Sequence, residues 1–114
     1  MPRDARLYLE DMLKAIDRIV AYTADLDLEG FSRDSRTVDA VLRNLEVIGE
    51  SSKRLPEELK QQAPAIEWRK IAGLRDVLAH AYFAVDLGLV WDVVGTKLGP
   101  LRCGIQRLLD SRLE

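Results

Sequence analysis

From Leu9 onward, apolar residues recur at steps of three and four, and that spacing leaves the chain few folds to choose from. Leu9, Met12, Leu13, Ile16, Ile19 and Val20 form the first such stripe. At 3.6 residues per turn it occupies one face of an α-helix, and that face has to be buried against another element. The spacing predicts a first helix over Asp4 to Thr23, with Asp4 as N-cap. Glu10, Asp11, Lys14, Asp17 and Arg18 fall on its water side.

Asp25 to Ser35 reads as a connector in which Gly30 breaks the helix and Phe31 folds back onto the core. Asp34 or Ser35 can cap a second helix over Arg36 to Leu55, whose stripe is Val38, Val41, Leu42, Leu45 and Ile48. Gly49 lies beside that stripe and costs about 1 kcal/mol against alanine, so a close neighbouring helix is expected there. Arg43, Asn44, Glu46 and Glu50 share this helix; the two glutamates, one turn apart, suit surface pairs with Lys53 or Arg54. Pro56 ends the helix and fits the first turn of a short third one reaching Gln62. A fourth helix is expected from Glu67 towards Ala79, with Trp68, Ile71, Ala72, Leu74 and Leu78 as its apolar set. Asp86 then caps a fifth, with Val85 and Val90 placed as a hydrophobic staple. That last stripe runs from Leu87 through Leu108, and Gly99-Pro100 should kink or break it, since Pro100 cannot donate to the Thr96 carbonyl.

The pattern gives an all-α, antiparallel up-and-down bundle: four main helices and one extra short one. A chain of 114 residues suits a single domain, 1–114, and aromatic residues at 6% with scattered β-branched ones argue against sheets. No apolar run is long enough to span a membrane, and the first residues turn amphipathic at once, unlike a secretory signal. Cys103, the lone cysteine, sits between Leu101 and Ile105 and reads as a small core or interface residue before it reads as a nucleophile. Together these features point to the cytoplasm. One histidine and one cysteine, far apart, match no zinc spacing; no Gly-rich phosphate loop is present, and neither metal nor cofactor is expected. A net charge of −2 gives no bulk attraction to nucleic acid, although a small basic patch would suffice locally.

Against this scaffold one stretch carries chemistry: Arg75-Asp76-Val77-Leu78-Ala79-His80-Ala81-Tyr82. It holds the single histidine of the chain. On a straight helix Arg75 and His80 lie about 140° apart, whereas Arg75 and Tyr82 lie within about 20°. Arg75 and His80 therefore need either a helix end near Ala79 or a second copy across a two-fold interface to meet at one target. A histidine is the natural general base or acid near neutrality, and an arginine fork matches phosphate oxygens through a pentavalent state. Such a pair suits RNA cleavage without a metal, in which the ribose 2′-OH attacks the adjacent phosphate to leave a 2′,3′-cyclic phosphate and a 5′-OH. DNA lacks that hydroxyl and would be inert. The same residues also suit structural work: a histidine capping the last carbonyls, a surface arginine, and a tyrosine ring with a wet edge.

The stretch resembles the Arg-x4-His-x-Tyr signature of HEPN-domain toxins of the HepT family. Val41-Leu42-Arg43-Asn44-Leu45-Glu46-Val47-Ile48-Gly49-Glu50, the Trp68…Ile71-Ala72-Gly73-Leu74 lead-in and Val85-Asp86-Leu87…Val90-Trp91 are also similar to that family, so the likeness runs from about Asp4 to Leu109. The resemblance implies an α-helical endoribonuclease that forms a homodimer, with the two motifs meeting at a cleft. It implies Arg75 and His80 as the catalytic pair, and Asp76 in a supporting polar position where asparagine is common. It implies Tyr82 as the residue that a cognate minimal nucleotidyltransferase antitoxin modifies with AMP, placing bulky negative charge where RNA phosphate would bind. Gly88 departs from the larger residue expected there. Two other readings stand beside this one: a non-catalytic helical module that binds and regulates a nucleotidyltransferase, and a dimeric scaffold.

Overall fold

Two long amphipathic helices and a third that follows them build the core. The structure, a computed structural model, describes residues 3–74 and 86–112. Helix α1 spans Ala5–Thr23, and the Asp4 side chain caps it by accepting from the Arg6 N–H at 2.9 Å. Helix α3 spans Ser35–Lys53, and Asp34 caps it through both the Thr37 N–H and the Thr37 hydroxyl. These two caps satisfy donors that the first turn leaves unpaired. Leu9, Met12, Ile16 and Ile19 of α1 meet Val41, Leu45 and Ile48 of α3, all nearly inaccessible to water. The α1–α3 pairing is the most extensive among the described residues.

Between them lies a difference from the sequence reading. The connector holds a short helix, α2 (Leu28–Arg33), and Gly30 is inside it. The reason is local: the Asp27 carboxylate accepts from the Gly30 N–H at 2.8 Å and starts the helix through the glycine. Phe31 is fully buried, as expected, and its ring packs on Trp91 with centroids 5.0 Å apart. Helix α4 (Glu57–Gln61) follows Pro56. Helix α5 spans Trp68–Ala72 with Gly73 as its C-cap, and Leu74 is helical again; the part of the longer expected helix beyond Leu74 lies outside the described residues.

Asp86 caps α6 (Leu87–Asp92) by accepting from the Leu89 N–H at 3.0 Å. Val85, the other half of the expected staple, lies outside the described residues. The anticipated interruption at Gly99-Pro100 takes a different form. A π-helical turn, Val93–Lys97, joins α6 to α7 (Leu98–Arg112), and Pro100 sits in the first turn of α7. The Leu98 N–H donates to the Val93 carbonyl, five residues back, and the Thr96 hydroxyl donates to the Asp92 carbonyl at 2.8 Å. Widening the turn ahead of the proline lets the helical path continue without a break. The Arg102 guanidinium ties α7 to Asp17 on α1 at 2.7 and 3.2 Å.

Two single-residue expectations also change. Val20 is 52% exposed, not part of the buried stripe. Cys103 is exposed on α7, which removes its reading as a core residue. The Glu50–Lys53 pair forms at 3.9 Å along α3. The fold is an all-α bundle, and every element among the described residues is helical. No helix among them is long and apolar enough to cross a membrane.

Candidate functional site

Arg75, Asp76, His80 and Tyr82 lie outside the described residues. The described residues place the chain immediately before and after them. On the entering side, the Trp68 indole N–H donates to the Lys60 and Ala63 carbonyls at 3.1 Å each, which pins the start of α5 to the end of α4. Helix α5 then crosses α3 at Gly49. A Cβ at Gly49 would stand 3.4 Å from the Ile71 carbonyl oxygen and 3.8 Å from Leu74 Cβ, so the expected close neighbour is present. Leu74, the residue before Arg75, is buried in the core at 8% exposure. On the leaving side, Asp86 is fixed by its cap on α6, and Val90 one turn later is fully buried. Leu74 and Asp86, the described residues on either side of the motif, are thus both anchored.

A cleft of about 620 Å³ opens between α5 with its leading loop and the π turn with α7. Leu74 forms part of its wall. Ile66, Ile71, Val93, Leu98 and Leu101 supply an aliphatic floor, while Glu67, Lys70, Lys97 and Arg107 stand around it. Sequence reading did not find these cations, because they come from three elements and make no local motif. The Lys70 ammonium meets the Glu67 carboxylate at 2.7 Å. That hydrogen bond, followed by the charges of Lys70 and Lys97, holds the Glu67 pKa below its ordinary value. Gly104 lets Ile66 pack onto α7: a Cβ there would stand 2.6 Å from Ile66 Cδ1. A smaller hollow of about 220 Å³ follows the outer face of α3, lined by Arg43, Glu46, Val47, Glu50 and Ser51. The Asn44 amide is turned back onto the Ala40 carbonyl at 2.8 Å. No group of three or more histidines, cysteines, aspartates or glutamates among the described residues is placed to hold a metal ion.

Residues 12–108 match the family described as Ribonuclease HepT-like. The chain is 41% identical over 108 residues to "Probable ribonuclease HepT" of Thermococcus cleftensis, covering 95% of this chain and 98% of that protein. It is 35% identical over 112 residues to "Putative RNase MJ0125" of Methanocaldococcus jannaschii, covering 98% and 97%. Another relative from that organism, "Gamma-glutamylcyclotransferase and putative RNase MJ0434", is 37% identical over 111 residues; this chain spans 50% of its length. No solved structure was found to match. With the match running from the middle of α1 to the end of the α7 stripe, the chain belongs to the HepT-like ribonuclease family.

Proposed function

We propose that this protein is an endoribonuclease that needs no metal, with Arg75 and His80 as its catalytic pair. The observation that carries the reading is the family match over residues 12–108, which encloses the complete Arg75, His80 and Tyr82 set. His80 takes the proton from a ribose 2′-OH, and the freed oxygen attacks the adjacent phosphorus. Arg75 holds the non-bridging oxygens as negative charge gathers on the five-coordinate phosphorus. The P–O5′ bond breaks, and the 5′ oxygen takes up a proton. A cyclic phosphate and a 5′-OH result. Asp76 supports Arg75 from the next position in the chain.

A site shared between two copies is one of the two ways to bring Arg75 and His80 together across their separation of about 140° on a straight helix, and the working unit in this reading is a homodimer. Tyr82 is the point of control. Transfer of AMP from ATP to its hydroxyl by a minimal nucleotidyltransferase, releasing pyrophosphate, places an added phosphate near Arg75 and competes with RNA for the same cation. The protein is then the toxin of a two-gene toxin–antitoxin pair.

Incubating the purified chain with total RNA in EDTA tests the activity: the wild type should cut, and Arg75→Ala and His80→Ala should not. Equal cutting by the His80→Ala protein would remove His80 from the mechanism. Intact RNA with the wild type would favour a non-catalytic module that regulates a nucleotidyltransferase. Coexpression with the partner enzyme should raise the intact mass by AMP increments, and Tyr82→Phe should prevent the rise.

A further inference from the structure

The cleft beside α7 has Leu74 in its wall, and Arg75 is the next residue of the chain. Its charge is opposite to that of the whole protein. Among the described residues that line it, Lys70, Lys97 and Arg107 face one acid, Glu67, a balance of +2 in a chain of net −2. Glu67 is already engaged by Lys70 at 2.7 Å. Lys97 and Arg107 are both exposed, and neither makes an ion pair among the described residues.

Accepting the ribonuclease reading of the motif, we propose that this cleft holds the single-stranded RNA flanking the scissile phosphate. Lys97 and Arg107 hold backbone phosphates, and the aliphatic floor takes the face of an unpaired base. The chemistry on both sides matches. A nucleotide strand presents phosphates at regular intervals and apolar base faces between them, and an excess of cations around an apolar floor is the complement of that pattern. The volume, about 620 Å³, is in the range of small-ligand sites and admits individual nucleotides rather than a helix. A duplex keeps its base faces stacked and offers only its outside. The cleft thus selects unpaired RNA and explains how an acidic protein engages a polyanion: through a local patch, not bulk charge.

The test is the binding of a fluorescein-labelled 2′-O-methyl RNA single strand, which the proposed reaction cannot cleave, followed by anisotropy across a salt series. The variants are Lys97→Gln/Arg107→Gln, each single substitution, and a control pair, Lys14→Gln/Arg18→Gln, exposed on α1 and outside the cleft lining. The cleft pair should weaken binding about tenfold and lower the slope of log affinity against log salt by about 1.4, roughly 0.7 for each phosphate no longer neutralised. Each single variant should lose about half that slope, and the control should bind like the wild type. A 2′-O-methyl duplex of the same sequence should bind more weakly than the strand. Unchanged affinity and slope in the cleft variants, an equal loss in the control, or no binding by the wild type overturns the proposal. Cleavage of unmodified RNA, measured in parallel, separates the two readings. A wild type that cuts while the cleft variants bind undiminished sinks the cleft alone. A wild type that binds through the cleft and never cuts sinks the ribonuclease reading and leaves a strand-binding surface.

Discussion

Gly104→Ala sets two known effects against each other in the wall of the cleft. Gly104 is inside α7, where alanine is favoured over glycine by about 1 kcal/mol. The new methyl would stand 2.6 Å from Ile66 Cδ1 and 2.9 Å from Ile66 Cγ1, well inside van der Waals range. Relieving that overlap means moving the half-buried Ile66, which sits on the loop entering α5. Overpacking of this kind typically costs about 1–3 kcal/mol. The balance is a loss of roughly 0–2 kcal/mol after the gain in helix propensity. Urea unfolding of four proteins settles it: wild type, Gly104→Ala, Ile66→Ala and the double variant. If the clash is the cause, Gly104→Ala should cost much less in the Ile66→Ala background, with a coupling of about 0.5–3 kcal/mol between the two sites. A Gly104→Ala protein that is about 1 kcal/mol more stable than the wild type, with no coupling to Ile66, would refute the packing geometry.

Asp86→Ala should cost about 1 kcal/mol by removing the cap that starts the α6–α7 helical path, readable as a lower urea midpoint; an unchanged midpoint would mean the cap contributes nothing. Asp17 accepts from Arg102, and that hydrogen bond lowers its pKa. Because the folded-state value is the lower one, its stabilisation is present above the unfolded-state pKa of about 3.9 and is lost as pH falls through the folded value. Both side chains are substantially exposed, so the effect should stay below about 1 kcal/mol. Asp17→Asn should therefore be slightly less stable than the wild type at pH 6, with the gap closing as the pH drops below about 4. A gap that widens in acid would contradict the sign.

Much of the fold is legible from periodicity and caps. The buried faces of α1 and α3, and the caps at Asp4, Asp34 and Asp86, follow from residue type and spacing. The failures have physical causes. Gly30 reads as a breaker by propensity, but Asp27 three residues earlier starts a helix through it. Pro100 reads as a break, but a widened turn ahead of it absorbs the missing hydrogen bond. Val20 belongs to the α1 stripe by angle, yet is exposed. Periodicity fixes a side chain's direction about its own helix, not how far the neighbouring helices extend. The candidate site divides in the same way. Arg75, His80 and Tyr82 stand out because they are adjacent in sequence and chemically distinctive. Lys70, Lys97 and Arg107 do not, because only the fold brings α5, the π turn and α7 around one cleft.

The central claim is 2′-OH attack promoted by Arg75 and His80. It is tested most directly on an RNA oligonucleotide cut by the wild type in EDTA, and on the same oligonucleotide with a single 2′-deoxy residue placed 5′ of the cut. The account predicts that the all-ribose strand yields a 2′,3′-cyclic phosphate and a 5′-OH, that the deoxy strand survives, and that His80→Ala cuts neither. Cleavage of the deoxy strand at the same bond, or products ending in a 5′-phosphate, would contradict it.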